Sequence, residues 1–251
     1  MDPLNFVISL AREAGTLLAQ RLDGPREIAL KHRADLVTDA DRASEALIVE
    51  RIRAAFPGAA ILGEEGGIYA GSTDERFIVD PLDGTTNYAH RYPLFCVSIA
   101  YERRGVVEAG AIYGPVIGEL YAARRGEAAT LNGKPIVVSG IDNVRDALVC
   151  TGFVPTHFER NMTNFTKLSR TAQAVRRDGS AALDIAFVAT GRFEAFWEWD
   201  LKPWDVAAGA LIVECAGGTV SAIDGSAFDL AAGSMLASNA RTHAEMLRLL
   251  A

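Results

Sequence analysis

One stretch, FIVDPLDGTTN at residues 77–87, restricts the fold of this 251-residue chain more than any other. Its apolar start predicts a buried strand that ends at Asp80. Pro81 ends strand pairing because it has no backbone N–H, and Asp83-Gly84 is a common turn pair. The strand therefore delivers two carboxylates to the edge of a sheet, directly before a glycine and two threonines.

The same stretch has the composition of a combined metal and phosphate site. Gly84 lets backbone N–H groups approach a ligand closely, and a helical turn at residues 85–87 would make those groups an anion site. Carboxylates beside a phosphate repel it unless cations lie between them, and oxygen ligands with no histidine or cysteine nearby favour Mg²⁺. The alternative is that Asp80 and Asp83 only form the turn.

Further acidic groups stand at the ends of predicted elements. They are Asp35 and Asp41 in DLVTDAD, Glu64 and Glu65 in LGEEGG, Glu198 in FWEWD, and Asp205 in KPWDVAAG. Each has an ordinary structural explanation, since Asp41 and Asp205 can cap helices and the glutamate pair at 64–65 can form an exposed turn. Those explanations weaken when all of the groups have to be explained together.

Charge counting gives the number of ions that such a site needs. Four carboxylates carry a charge of about −4, which two divalent ions balance. The four are those of Glu64, Asp80, Asp83 and Asp205. A phosphate dianion adds two negative charges and leaves room for a third ion. The sequence thus predicts a site for two or three Mg²⁺ ions.

The pattern of predicted elements changes near residue 140. Two helices, one at about residues 2–22 and one from about residues 39–41 to residue 56, precede short strands and an antiparallel meander at residues 95–124. After residue 140, strands alternate with helices, which is typical of a layered α/β structure. We therefore predict an α+β half at residues 1–140 that carries most metal ligands, and an α/β half at residues 141–251 that completes the site.

Composition is that of an ordinary globular protein, 49% hydrophobic and 23% charged, with a net charge of −7. An acidic chain argues against general binding to nucleic acid or anionic membranes. The chain start lacks a secretory signal. The three cysteines, Cys96, Cys150 and Cys215, are far apart in apolar settings, which is typical of reduced core residues. We expect a cytoplasmic protein that does not associate with membranes.

Taken together, the motifs resemble those of the inositol monophosphatase family of Mg²⁺-dependent, typically lithium-sensitive sugar phosphatases. The matching segments are DLVTDAD at 35–41, GEE at 63–65, DPLDGTTN at 80–87, DGSAALD at 178–184 and WDVAAGALIVECAGG at 204–218. The similarity covers nearly the whole chain. It implies a layered α-β-α-β-α sandwich with the site between the two halves, and a homodimer.

The resemblance also implies roles for individual residues. The metal ligands would be Glu64, Asp80, Asp83 and Asp205 through their side chains and Leu82 through its backbone carbonyl. Glu65 would orient a water molecule, and Thr85 with Asp41 would activate the attacking water. The substrate contacts would be Asp83, Gly84, Thr85, Ser180, Ala181 and Glu198. For Glu198 the alternative is a strand-end charge paired with Lys202 or another base.

The implied reaction is transfer of a phosphoryl group to water with Mg²⁺, and inositol 1-phosphate is the expected substrate. The same chemistry on histidinol phosphate, fructose 1,6-bisphosphate or 3′-phosphoadenosine 5′-phosphate is the alternative within the family. An alternative from another class is a regulatory binding protein on this scaffold that contacts RNA or the transcription machinery. The acidic composition and the complete set of four acidic ligands favour the enzyme.

Overall fold

The computed structural model describes residues 1–24, 28–32, 35–153 and 157–251, and it describes only the backbone at residues 28–32, 35–37 and 73. The side chain of Asp35, in the DLVTDAD motif, therefore lies outside the described part.

The larger sheet has eight strands within the described residues, and the predicted antiparallel meander forms its centre. In spatial order they are β10 (Lys134–Pro135), β9 (Thr130–Leu131), β8 (Glu119–Arg124), β7 (Val106–Gly114), β6 (Cys96–Arg103), β5 (Ser72–Asp83), β3 (Ala59–Gly63) and β4 (Gly67–Tyr69). Strand β3 runs parallel to β5. A hairpin of β1 (Ile28–His32) and β2 (Asp35–Thr38), which the sequence did not predict, stands apart from this sheet.

Strand β5 continues past Pro81, so the prediction that pairing ends at Asp80 was wrong. Asp80 pairs with Ser98 and Asp83 pairs with Cys96, with an irregular register between the two pairs. The proline lies inside this bulge, where no ladder hydrogen bond requires its missing N–H. The bulge keeps both aspartates at one corner of the sheet.

The smaller sheet has five strands within the described residues. In spatial order they are β12 (Ala174–Arg176), β11 (Leu148–Thr151), β13 (Ala195–Trp199), β15 (Ser234–Ser238) and β14 (Thr219–Ser221). Strand β11 is parallel to β12 and β13, whereas β15 is antiparallel to both of its neighbours. Strands β12 and β15 were not predicted. We propose residue 140, which lies between the two sheets in sequence, as the division between the halves.

The helices form three layers that alternate with the sheets. They are α1 (Pro3–Arg21) and α2 (Asp39–Ala55) outside the larger sheet, α5 (Ala181–Ala189) and α6 (Pro203–Cys215) between the sheets, and α4 (Phe158–Thr171) and α7 (His243–Leu250) outside the smaller sheet. A short helix, α3 (Thr85–Ala89), follows β5. This arrangement confirms the predicted α-β-α-β-α sandwich.

Capping residues explain where helix α1 begins. Burial on both sides explains the composition of the central helices α5 and α6. Asp2 accepts a hydrogen bond from the backbone N–H of Asn5 (3.3 Å), and Pro3 occupies the first turn of α1. Helices α5 and α6 contact both sheets, so they are apolar on almost every face. Small residues let these layers approach closely, because a Cβ on Gly110 would lie 3.0 Å from the Cα of Ala208.

The cysteines follow the prediction of core residues. All three are free thiols; Cys96 and Cys150 are buried and Cys215 is half-buried. Among the described helices, none combines the length and the hydrophobicity that crossing a membrane requires.

We predict that Gly209→Ala destabilises the protein although alanine favours helices. A Cβ at this position of α6 would lie 2.7 Å from Cγ2 of the buried Ile185 on α5. Overpacking costs about 1–3 kcal/mol and outweighs the helix propensity gain of about 1 kcal/mol. Urea unfolding measures the change in free energy, and Gly58→Ala, whose Cβ would meet nothing within 4 Å, is the matched control. A stabilised Gly209→Ala variant would contradict the packing argument.

Candidate active site

Asp80 lies near the end of β5, where a backbone N–H of the same strand holds its carboxylate. Asp80 is 1% exposed, and its Oδ1 accepts a hydrogen bond from the N–H of Leu82 (3.0 Å). The hydroxyl of Ser44, on α2, donates to the carbonyl of Pro81 (2.8 Å). The corner is therefore fixed both locally and by the outer helix layer.

Asp83 joins the two halves of the molecule. Its Oδ2 accepts hydrogen bonds from the hydroxyl of Ser180 (2.5 Å) and the N–H of Ala182 (2.8 Å), at the start of α5. The thiol of Cys96, its cross-strand neighbour, lies 3.7 Å from the same oxygen. The expectation that no cysteine lies nearby was wrong, because strand pairing places it there. Burial and the charge of Asp83 raise the pKa of Cys96 well above its usual value, so the thiol stays protonated.

Gly84 makes the sharp exit from β5 possible. Its φ of +90° is left-handed, and an added Cβ would lie 3.1 Å from the carbonyl oxygen of Leu94, so glycine is required here. Helix α3 begins at the next residue, which confirms the helical turn predicted for residues 85–87.

The structure brings Thr85 and Asp41 together. The hydroxyl of Thr85 lies 3.1 Å from Oδ1 of Asp41 and 3.2 Å from the carbonyl oxygen of Leu82. The other oxygen, Oδ2, accepts from the N–H (2.8 Å) and hydroxyl (2.5 Å) of Thr38, which is the N-cap of α2. Burial raises the pKa of Asp41. The capping alternative for Asp41 is confirmed, and its second oxygen faces Thr85, so the geometry leaves the predicted pair with Thr85 open as a proposal.

Glu45 positions the loop that carries Glu64 and Glu65, and sequence reasoning missed it. This buried side chain accepts hydrogen bonds from the N–H groups of Glu65 (2.8 Å) and Gly66 (2.7 Å) and from the hydroxyl of Tyr69 (2.8 Å). A Cβ on Gly66 would clash with that hydroxyl, which explains the glycine. The signal was available, since Glu45 lies four residues after Asp41 and so on the same helix face.

Asp205 and Glu198 complete the site from the C-terminal half. Oδ2 of Asp205 accepts a hydrogen bond from the N–H of Lys202 (2.7 Å) at the start of α6, as the capping alternative proposed. Glu198 is 7% exposed at the end of β13 and packs so closely against Gly152 that a Cβ there would clash with its carboxylate. Within the described part of the chain, Glu198 forms no salt bridge with Lys202 or another base.

The carboxylates interact strongly because they are crowded and buried. Burial raises the pKa of Asp80 well above its usual value, and the charges of Glu64, Asp83 and Asp205 raise it further. Burial and the charge of Asp83 do the same to the pKa of Asp205. Burial, Asp205 and Asp83 raise the pKa of Glu198 to about 8 although Arg177 opposes the shift. An all-oxygen donor set with uncompensated negative charge fits a hard divalent cation.

Asn87 also crosses between the halves, and it lies within the DPLDGTTN motif without having been assigned a role. Its Nδ2 donates to the carbonyls of Leu94 (2.6 Å) and Asp178 (2.8 Å). The predicted contacts Ser180 and Ala181 lie on the segment held in this way, next to Asp83.

Known proteins are similar to this chain in sequence and in fold. The sequence model of the inositol monophosphatase family matches residues 2–251. The chain is 45% identical to inositol-1-monophosphatase from Synechocystis, over 90% of this chain and 80% of that protein. It is 42% identical to Nus factor SuhB from Pseudomonas aeruginosa, over 98% and 95%. A structure of inositol monophosphatase from Anabaena aligns with a TM-score of 0.89 at 41% identity, over 98% and 94%.

We predict that, without divalent cations, the protein loses stability as the pH rises from 4.5 to about 8. Folded Glu198 keeps its proton over this range, because its pKa is raised from 4.5 to about 8, whereas the unfolded chain releases it. The folded state then binds more protons, so the free energy of unfolding falls with rising pH, by about 1.4 kcal/mol for each unit of pKa shift.

Urea unfolding in the presence of a chelator, at about pH 5.5 and about pH 8, measures this loss. Glu198→Gln should reduce it, and the exposed Glu50→Gln should not. Asp80 and Asp205 contribute with the same sign, so only the difference between variant and parent belongs to Glu198. An unchanged loss in Glu198→Gln would contradict the assignment.

Proposed function

The chain belongs to the inositol monophosphatase family and is a phosphoric monoester hydrolase, and we propose that it hydrolyses inositol 1-phosphate with Mg²⁺. The observation that carries this proposal is the convergence of four carboxylates, from both halves of the chain, beside the Thr85–Asp41 pair. A relative named inositol-1-monophosphatase at 45% identity supports the choice of substrate.

The family is metal-dependent, and the carboxylate corner supports Mg²⁺ as the metal. Glu64, Asp80, Asp83 and Asp205 would hold two or three ions together with the carbonyl of Leu82. When bound, the ions make hydroxide available near neutral pH and stabilise the negative charge on the leaving oxygen. The neutral donors beside Asp80, Asp83 and Asp205 hold these carboxylates in place without cancelling their charge.

Thr85 and Asp41 are proposed to activate the attacking water. The Thr85 hydroxyl donates to Oδ1 of Asp41, so its oxygen lone pairs can accept a proton from water and position it for attack. The two hydrogen bonds from Thr38 fix the orientation of the Asp41 carboxylate. Burial raises the pKa of Asp41 above its usual value, which favours uptake of a proton by this carboxylate. Glu65 would orient the water from the opposite loop.

Substrate binding is proposed for the segment that leads from β5 and for the start of α5. The backbone N–H groups of Gly84 and Thr85 would hold the phosphate. Glu198, together with Asp83, Ser180 and Ala181, would hold the polyol hydroxyls. The proximity of Glu198 to Asp83 and Asp205 supports this, because it places a buried hydrogen-bonding group beside the metal corner.

A second candidate function is regulatory, because a relative with 42% identity is named Nus factor SuhB. On this view the same scaffold would contact RNA or the transcription machinery. The net charge of −7 favours a protein partner over nucleic acid. The homodimer implied by the family resemblance stays a prediction.

We predict that Mg²⁺-dependent phosphate release is fastest with inositol 1-phosphate and drops at least about 100-fold in Asp83→Asn, since even residues around metal ligands contribute 10–100-fold. The assay compares inositol 1-phosphate, fructose 1,6-bisphosphate, histidinol phosphate and 3′-phosphoadenosine 5′-phosphate with Mg²⁺ present or chelated. Asp74→Asn, an exposed aspartate, is the matched control.

Another best substrate in this assay would overturn the choice of inositol 1-phosphate and keep the chemistry. No turnover on any of the four compounds by folded, Mg²⁺-loaded protein would contradict the substrate class. Rescue of a deletion phenotype by inactive Asp83→Asn would favour the regulatory function.

We predict that, in excess Mg²⁺, whose charge favours the ionised form of Glu198, Glu198→Gln lowers kcat/KM for inositol 1-phosphate about 10- to 100-fold, since a hydrogen bond to a charged group contributes about 1.5–3 kcal/mol. Turnover of an aryl phosphate, which has no polyol hydroxyls, should change much less. Steady-state kinetics on both compounds separates the two effects. Equal losses on both would show that Glu198 supports the metal corner and not the polyol.

A further inference from the structure

A second group of metal-ligating side chains lies beside the carboxylate corner without forming part of it. Cys150 is on β11, Asp184 is on α5, and Asp178 lies between β12 and α5. Their ligand atoms all lie within 4.8 Å of one another. Cys150 and Asp184 are buried, whereas Asp178 is half-buried and gives access from solvent. Neither the family resemblance nor the proposed function uses Cys150 or Asp178.

One oxygen of Asp184 lacks a partner in the described part of the chain. Asp184 is 1% exposed, and its Oδ1 forms no hydrogen bond with any described group. Leaving such an atom unsatisfied costs about 1–3 kcal/mol, and more if the group is charged. Burial raises the pKa of Asp184 well above its usual value, and the charge of Asp178 raises it further. The cluster therefore needs a proton or a cation.

We propose that Cys150, Asp178 and Asp184 form a second metal site that takes a sulfur-binding divalent cation such as Zn²⁺. Zn–S bonds of about 2.3 Å and Zn–O bonds of about 2.0–2.2 Å place tetrahedral ligand atoms roughly 3.5 Å apart. The three ligand atoms here lie within 4.8 Å of one another, so a small approach of their side chains closes the site around an ion. A thiolate ligand selects Zn²⁺ over Mg²⁺, which prefers oxygen. Three protein ligands leave one tetrahedral position open.

The ion would act on the segment that holds Asp83. Ser180 and Ala182, which donate to Asp83, lie between Asp178 and Asp184 in sequence. The carbonyl of Asp178 accepts a hydrogen bond from Asn87 as well. An ion bound to β11 and to both ends of this segment would fix the start of α5 against the smaller sheet. Its binding should therefore raise the melting temperature of the protein.

The test uses Cd²⁺ as the probe, because a cadmium–thiolate bond gives an ultraviolet charge-transfer band that oxygen ligands do not give. The full chain, stripped with a chelator and kept in excess Mg²⁺, is titrated with Cd²⁺. We expect one equivalent to produce the band, and Zn²⁺ to abolish it by competition. Cys150→Ser should lose the band, and Asp178→Asn and Asp184→Asn should each weaken binding at least about tenfold.

The other two cysteines provide matched controls. Cys96→Ser and Cys215→Ser should keep the band, since the thiol of Cys96 lies beside Asp83 and that of Cys215 donates to the carbonyl of Arg124. A band that persists in Cys150→Ser, or that disappears in Cys96→Ser, would overturn the proposal, as would no band in the parent protein. Asp178→Asn, at a half-buried position, tests the site even if a buried variant fails to fold. The readout is independent of phosphatase activity, so it stands or falls apart from the proposed function.

Discussion

Repulsion among buried carboxylates is the constraint around which the structure is arranged. Asp80, Asp83 and Asp205 each have one oxygen held by a neutral donor, which is a backbone N–H or a hydroxyl. Neutral donors fix the geometry and leave the negative charge in place. The same mode of support holds the loop of the glutamate pair, where Glu45 accepts from two backbone N–H groups and a tyrosine. Such a corner needs positive charge close by, which agrees with the proposed binding of cations and phosphate.

The two central helices carry much of this arrangement because they lie between the sheets. The start of α5 binds Asp83, and the first turn of α6 supplies Asp205. Close packing of α5, α6 and β7 through Gly110 and Gly209 sets the distance between these helix starts and the end of β5. Stability and site geometry therefore depend on the same contacts. The segment from Asp178 to Asp184 contributes to two sites, since it adjoins both the carboxylate corner and the proposed sulfur-containing site.

Several acidic residues have an observed structural role and also lie where the proposed function needs a carboxylate. Asp41 completes the capping of α2 with one oxygen and faces Thr85 with the other. Asp205 accepts from the backbone at the start of α6 and also belongs to the crowded carboxylates. The capping explanations considered for these residues are therefore confirmed, and they do not exclude the proposed roles. A helix start favours a carboxylate through its free N–H groups, and the second oxygen remains for chemistry.

The sequence alone predicted the helices and the central strands, because periodicity, capping and turn residues act over a few positions. The layered sandwich and the family followed from the resemblance of its motifs to those of a known family. Its motifs also named the acidic residues that the structure brings together. Only the tertiary structure decided the bulge that carries β5 past Pro81, the support from Glu45, and the approach of Cys96 to Asp83. The tertiary structure alone also decided that Cys150 lies close to Asp178 and Asp184. Periodicity shows which face of an element is buried, but strand register and layer packing decide which distant side chain it meets.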